Sequence, residues 1–304
     1  MEDLTRLRQY QALPLENKIQ NAKYLIQEAL AKGEAAVAWS GGKDSTVLLH
    51  LVLPFQPSIV VIWNNTGVEF PETWPFIKKL RDEWGLNLHI TKPAEGIDFW
   101  WGVKKYGWPL LGKGIKKSLF TNPKYINNYK GKVGRAIPIS SYCCDYLKER
   151  PSMRKYRELG IKVTLNGNMV AESRQRFFTW LDYGEFSYAS SLKLWRCWPL
   201  WCWKDDDIWA YHEKFNLPHC AIYDKGHKRN GCWPCGMDLA FPGNHLAILR
   251  LSHPKLWHFL MIEKGLGADL LKAKIALRDG QGDFWAQEKV EVILKQWPCY
   301  FDRL

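Results

Sequence analysis

Two short runs of this 304-residue chain combine residue types able to do chemistry. The first is Ser40-Gly41-Gly42-Lys43-Asp44-Ser45-Thr46. Its glycines let the backbone approach an anion closely, and a helix opening there aims unpaired N–H groups at it. Ser40, Ser45 and Thr46 add hydroxyls, and Lys43 adds positive charge. Asp44 is the discordant member, because a carboxylate beside a phosphate needs a compensating cation. Mg²⁺ held between Asp44 and phosphate oxygens would meet that need. On this reading Lys43, Asp44 and Ser45 are the catalytic residues. The spacing fits neither a Walker A loop nor a dinucleotide fingerprint, and the plainer alternative is an ordinary glycine turn.

The second run is a set of thiols, Cys143-Cys144 with Cys232-x-x-Cys235. Adjacent thiolates poorly chelate one tetrahedral ion, whose ligand sulfurs must stand apart at a fixed angle. A four-iron cubane offers each thiolate its own iron. A four-thiolate zinc site and two unconnected pairs of buried thiols are the alternatives. Cys197 and Cys202 lie in a Trp-rich run (195–209) that reads as packing, because Trp buries a large area. Cys220 has no assigned role, and the histidines read as structural.

These residues need a scaffold. Residues 16–32 repeat apolar positions at helical spacing up to Gly33. AAVAWS (35–40) reads as a short buried strand and SIVVIWN (58–64) as a β-branched strand of the buried, parallel kind, with LNLHIT (86–91) and KVTLNGN (162–168) as the third and fourth strands. Helices are expected after the glycine loop, over 70–85, on both sides of Pro151, and over 204–216 with an acidic first turn. The alternation predicts an α/β fold, a parallel sheet with helices on both faces. From about 241 the chain reads as helices only, so the expected division is a nucleotide-binding domain over 16–240 and a helical C-terminal extension over 241–304.

The net charge is +12, with 46% hydrophobic residues, a composition that excludes a disordered chain. The absence of a long apolar run excludes a membrane-spanning helix. The charged N-terminus lacks the apolar core of a secretory signal, so a cytoplasmic enzyme with reduced thiols is expected. Between Asp98 and Asp145 there is no acidic residue, while Lys104, Lys105, Lys113, Lys116, Lys117, Lys124, Lys130, Lys132 and Arg135 all fall there. Trp100, Trp101, Tyr106, Trp108, Phe120, Tyr125, Tyr129 and Tyr142 are interleaved with them. Cations among aromatics suit a nucleic-acid strand; a solvated loop whose Lys stems cover apolar surface is the alternative. The segment 99–142 lacks a clear period and reads as a long, largely irregular excursion.

SGGKDST after a strand resembles the PP-loop of the adenine-nucleotide α-hydrolase superfamily, and the neighbouring blocks resemble the phosphoadenosine-phosphosulfate (PAPS) reductase family. They are Asn65-Thr66-Gly67-Val68-Glu69-Phe70-Pro71-Glu72-Thr73, Gly167 to Arg176, and PLWCWKDDDIWAYHEKFNLP at 199–218. The resemblance implies an adenine nucleotide at the carboxyl ends of the strands, its phosphates on residues 40–46. Asn65, Thr66, Gly67, Glu72, Gly167, Glu172, Ser173 and Arg176 would complete the site. It also implies a [4Fe-4S] cluster on Cys143, Cys144, Cys232 and Cys235, as in the adenylylsulfate (APS) reductase branch. Lys148, Arg150, Lys228 and Arg229 would offset the cluster's negative charge.

Two departures from the family pattern count against sulfonucleotide reduction. The chain ends WPCYFDRL instead of carrying the family's Glu-Cys-Gly-x-His tail, so Cys299 is the only candidate for the attacking thiol. Met169 stands where the family usually has Arg. The full SGGKDS loop is typical of relatives that cleave ATP between the α- and β-phosphates. The expected activity is therefore an ATP pyrophosphatase that adenylates an acceptor for sulfur transfer, similar to DNA phosphorothioation enzymes, with a nucleic-acid acceptor and a sulfur donor such as a cysteine desulfurase. The rivals are a thioredoxin-dependent APS/PAPS reductase and a non-catalytic nucleic-acid-binding module with a structural cluster.

Overall fold

Short strands alternating with amphipathic helices wind the chain around one six-stranded sheet. This computed structural model describes residues 2–109, 140, 142–236 and 245–269. The chain opens with α1 (Glu2–Gln11) and α2 (Leu15–Leu30). Helix α2 buries Ile19, Ala22, Leu25, Ile26 and Ala29, the face that its apolar spacing predicts. There follow β1 (Ala35–Ala38), α3 (Lys43–Val52), β2 (Val60–Asn64), α4 (Thr73–Glu83), β3 (Asn87–Thr91) and α5 (Phe99–Tyr106). A π-turn over Asp145–Glu149 runs into α6 (Arg150–Glu158), with Pro151 in the first turn, where its missing N–H costs little.

Then come β4 (Val163–Asn166), a 3₁₀ turn at Val170–Glu172, α7 (Arg174–Tyr183), β5 (Phe186–Ala189), β6 (Leu194–Cys197) and α8 (Asp205–Lys214). Helices α9 (His245–Ser252) and α10 (Pro254–His258) close the described chain, and a π-turn over Phe259–Glu263 continues α10.

The strand order is β3-β2-β1-β4-β6-β5. Strand β1 lies between its parallel neighbours, with Val37 opposite Val61 on one side and Leu165 on the other. The one departure from a parallel sheet is edge strand β5, which pairs antiparallel with β6 from Phe186↔Cys197 to Ala189↔Leu194. A connection as short as 190–193 permits only a hairpin, whereas a parallel pair needs a crossover of a dozen residues or more. Lys193, at φ 53, supplies the left-handed residue of that turn.

Strand order reverses at β1, so the connections leaving β1 and β4 diverge to opposite faces and open a crevice at the strands' carboxyl ends. Trp201 and Trp203 are fully buried beneath it, as expected for the Trp-rich run, and Trp180 stacks on Trp201 at 5.2 Å. Leu246, Leu249, Leu260 and Leu266 join the same apolar core as the sheet.

The irregular excursion expected from residue 99 begins instead as a helix. Asp98 caps α5 by accepting from the Trp101 N–H at 2.6 Å, and Tyr146 lies so close to Gly102 that a Cβ there would overlap its hydroxyl. Lys113, Lys116, Lys117, Lys124, Lys130, Lys132, Arg135 and Cys299 lie outside the described residues. Among the described residues, no helix is long and apolar enough to cross a membrane.

Candidate nucleotide site and thiol cluster

Glycine chemistry shapes the 40–46 loop. Gly41 adopts φ +72, and a Cβ there would sit 2.9 Å from Ile77. Gly42 precedes α3 in an extended conformation and donates its N–H to Ser40 Oγ at 3.2 Å. Ser45 Oγ reaches back to the Gly42 carbonyl at 3.0 Å. The Lys43 N–H donates to the Tyr223 hydroxyl at 2.9 Å, and the Lys43 carbonyl lies 3.0 Å from His212 Nε2. Burial, opposed by the two carbonyls that His212 faces, lowers that imidazole's pKa, so the neutral ring donates to Lys43. With the N–H groups of Gly42 and Lys43 held by hydroxyls, those of Asp44 and Ser45 are left to face an anion at the first turn of α3.

The Lys43 ammonium is buried and clasped by Asp44 at 2.7 Å and Asp205 at 2.5 Å. Arg176 pairs with Glu172, and Arg229 stands 3.6 Å from the same carboxylate. Burial, the Arg229 charge and the opposing pull of Asp44 leave the Arg176 pKa pushed down to about 10. Cations and carboxylates around the loop therefore balance one another. Thr46 turns inward, fully buried, and accepts from Trp39 Nε1 at 3.1 Å, so its hydroxyl serves the core.

A cleft of about 110 Å³ opens beside the loop, lined by Ser40, Trp63, Asn64, Glu69, Lys148 and Asn230 among others. Asn230 spans two walls: its Nδ2 donates to the Gly41 carbonyl at 3.1 Å and its Oδ1 accepts from Thr73 Oγ1 at 2.8 Å. Glu69 accepts from the Thr66 N–H at 2.9 Å and the Gly67 N–H at 3.1 Å, and Asn65 Oδ1 also accepts from Gly67, which fixes that turn. Ser173 caps α7 by accepting from the Arg176 N–H at 3.2 Å. Met169 is 1% exposed and packs in the core, with its N–H held by Glu172, so it does not present a side chain to the cleft.

Gly167 brings the β4 loop against the glycine loop: a Cβ there would lie 3.1 Å from the Asp44 carbonyl and Ser45 Cα. Both neighbours are backbone and yield poorly, so Gly167→Ala is expected to cost about 1–3 kcal/mol and to weaken nucleotide binding. Melting curves with and without ATP measure both, and unchanged curves would mean that the loops separate freely.

Glu72 points away from the loop. It pairs with Lys225 and lies 2.9 Å from His253 Nε2, tying α9 and α10 to the start of α4. Burial raises its pKa, but the hydrogen bonds from Lys225 and His253 prevail and the net shift is downward. The contribution of this pair to stability is complete above the ordinary carboxylate range and is lost as pH falls through the lowered value. Glu72→Gln is expected to flatten the acid limb of the stability curve, measured by urea unfolding at stepped pH. A parallel limb would exclude the clamp.

The four thiols converge from two elements. Cys143 and Cys144 precede the π-turn, and the Cys232-x-x-Cys235 loop faces them, with the Cys235 N–H donating to the Cys232 carbonyl at 3.1 Å. The loop is held by the Glu69↔Cys232 bridge and by a 3.0 Å bond from the Trp233 N–H to the Val68 carbonyl. Hydrogen bonding to Cys144, burial and the charges of Cys144, Cys235 and Cys232 all push the Cys143 thiol up. Burial likewise raises Cys232, against the pull of Lys148, while that thiolate holds the Lys148 ammonium above its ordinary value. Lys148 also lines the cleft, so one cation serves both places. Their ionised forms would repel one another, and a metal group bonded to all of them would take up that charge. Among the described residues, no three His, Cys, Asp or Glu side chains form the shell of a single ion. Cys197, Cys202 and Cys220 are buried elsewhere, and burial raises all three thiols, Cys202 to about 12.

Asp205, Tyr223, Asn230, Glu69 and His212 were not legible as site residues. Each reaches the loop or its flanking turn by folding; Glu69, Asp205 and His212 sit within motif blocks, whereas Tyr223 and Asn230 lie outside them.

The glycine loop, the crevice at the strand ends and the flanking β4 loop define a nucleotide-binding α/β protein. Residues 34–237 match the phosphoadenosine phosphosulfate reductase domain, and the chain belongs to that family. It is 26% identical over 198 residues to an uncharacterised protein of Methanocaldococcus jannaschii, covering 65% of this chain and 40% of that one. A second protein of the same organism is also covered over 40% of its length, so the chain spans well under half of these relatives. It is 28% identical to a phosphoadenosine 5′-phosphosulfate reductase of Photobacterium profundum, covering 69% of this chain and 72% of that one. An adenosine 5′-phosphosulfate reductase of Bacillus mycoides is also 28% identical, covering 70% and 77%. Among solved structures, a PAPS reductase from Candida auris superposes with a TM-score of 0.48 at 20% identity, covering 70% of this chain and 88% of that one.

Proposed function

We propose that this chain is an ATP pyrophosphatase of the PAPS reductase family that activates an acceptor for sulfur transfer. The observation that carries the reading is the charge balance at the loop. Lys43, Arg176 and Arg229 are already matched by Asp44, Asp205 and Glu172. A polyphosphate entering this site needs further positive charge, and Asp44 and Asp205 would hold Mg²⁺ there. When bound, Mg²⁺ would neutralise the charge developing on the departing pyrophosphate.

In the reaction an acceptor oxygen attacks the α-phosphorus of ATP. The bond between that phosphorus and the α–β bridging oxygen breaks, and its electron pair leaves with pyrophosphate. The N–H groups of Asp44 and Ser45 and the Lys43 ammonium receive the pyrophosphate, so positioning and charge stabilisation carry the catalysis. Arg176 and Arg229 flank the α-phosphate side. The terminal sulfur of a donor persulfide then attacks the adenylated acceptor and displaces AMP, and a thiol cleaves the remaining S–S bond, leaving the sulfur on the acceptor and a disulfide on the donor side. Cys143, Cys144, Cys232 and Cys235 would hold a [4Fe-4S] cluster, which supplies redox or sulfur-handling chemistry when bound. The basic segment supports a nucleic-acid acceptor.

Pyrophosphate release from ATP, measured with and without single-stranded DNA or tRNA on cluster-loaded protein, tests the reading; no turnover with any acceptor would sink it. The names of the bacterial relatives favour a second reading, sulfonucleotide reduction. Thioredoxin-dependent sulfite release from APS or PAPS that disappears in Cys299→Ser would establish that alternative.

A further inference from the structure

A second cavity, of about 300 Å³, lies apart from the nucleotide cleft and shares no lining residue with it. Its walls include Trp100, Lys104, Gly107, Trp108, Lys264 and Asp269. That volume sits at the lower end of the range of ligand pockets, about 300–1,000 Å³. The aromatic walls are fixed in place. Trp108 is 3% exposed and donates its indole N–H to Asp269 Oδ2 at 2.8 Å, and its carbonyl accepts from the Ser140 N–H at 2.9 Å. Trp100 stands edge-on to Trp108 at 6.5 Å and is backed by Trp233, inside the Cys232-x-x-Cys235 loop, at 5.9 Å.

The cavity is also cationic. Lys264 Nζ lies over the Trp100 ring at 4.7 Å and the Phe259 ring at 5.0 Å. Neither Lys104 nor Lys264 is matched to a carboxylate by an ion pair among the described residues. The cavity's one carboxylate, Asp269, is engaged by Trp108. Rigid indole faces beside two ammonium groups that pair with no carboxylate among the described residues fit a flat ring bearing an anionic group.

We propose that this cavity seats one unpaired nucleotide, its base against Trp100 and its phosphate on Lys104 and Lys264. The nucleotide comes either from a single strand or from a free mononucleotide. The inference deepens the acceptor reading by giving the strand a seat next to the thiol loop. It is tested by binding alone, so it stands or falls separately from ATP turnover.

The test is fluorescence anisotropy of a labelled oligothymidylate on the full chain over a salt series, with unlabelled dTMP as competitor. The variants are Lys104→Gln/Lys264→Gln and Trp100→Leu, and Lys78→Gln/Lys79→Gln on exposed α4 is the charge control. The Lys104/Lys264 variant is expected to bind the strand at least tenfold more weakly, with the log–log salt slope reduced by about 1.4 for two single-strand phosphate contacts. Trp100→Leu is expected to weaken binding about 10- to 100-fold through lost stacking, and the control should match wild type. Competition by dTMP assigns the seat to a free nucleotide, and binding of the strand without competition assigns it to the strand. Unchanged affinity and slope in the Lys104/Lys264 variant overturn the inference. Lys104 and Lys264 are both exposed, so the decisive comparison does not depend on whether Trp100→Leu folds.

Discussion

Lys43→Met is expected to lower pyrophosphate release from ATP by about two to three orders of magnitude, the loss typical when one preorganised charge-stabilising donor is removed. The Met side chain retains the length and apolar contacts of the buried Lys stem, so α3 should keep its place against the sheet. The ammonium between Asp44 and Asp205 is lost. Two carboxylates are then left facing the entering phosphates, and Coulomb repulsion adds to the missing attraction. The defect should appear in turnover at saturating ATP, because Lys43 is proposed to meet charge that grows as pyrophosphate departs. Raising Mg²⁺ should recover part of the activity, since the same carboxylates would bind the ion more readily without their ammonium. Single-turnover release measured across a Mg²⁺ series checks both points. Turnover within a few-fold of wild type would remove Lys43 from the chemistry and leave it a structural counter-ion.

The part of this site legible in the sequence is the part held by local chain. SGGKDS could be read because a strand, a glycine turn and a helix start occur within a few residues. Strands β1 to β4 were legible for a similar reason: β-branched runs bounded by turns have few other ways to be buried. The β5–β6 hairpin was not, because its segment is Trp-rich with no clean alternation, and both faces of a barely covered edge give a weak period. The loop's supports were also hidden. Asp205 looks like one more acid in an acidic first turn, and its reach to Lys43 appears only once α8 packs on α3. Asn230 and Tyr223 arrive from about 180 residues away in sequence, at separations of 189 and 180 from their partners in the loop. Thr46 shows the converse error. Its hydroxyl belongs to the motif by type, but the helical turn carries it under Trp39 instead of toward the anion.

Replacing Cys144 and Cys232 together by Ser is expected to reduce protein-bound iron and acid-labile sulfide, after anaerobic purification, from about four of each per chain to background. The two residues come from different elements, so the double variant leaves one thiol on each side, too few to hold a cubane. Cys143 is pushed up by its neighbour Cys144 and by burial, and Cys232 by burial. Ionising these neighbouring thiols without a bonded cation is unfavourable, whereas a metal group that takes up their charge couples ligation to folding free energy. The variant should therefore melt at the temperature of wild-type protein stripped with a chelator, both below loaded wild type. Zinc at one equivalent per wild-type chain, with no sulfide, would replace the cluster with a single-ion site. Wild-type protein that carries neither iron, sulfide nor zinc after anaerobic purification would reduce the four thiols to packing. The link to the cleft supplies a further reading from the same samples. Lys148 contacts Cys232 and lines the nucleotide cleft, so losing the thiolate frees a buried ammonium beside the site. ATP affinity should then rise in the variant even as iron is lost, and a fall in affinity would mean that the thiol loop's main effect on the cleft is to hold its wall in place through Asn230 and Glu69.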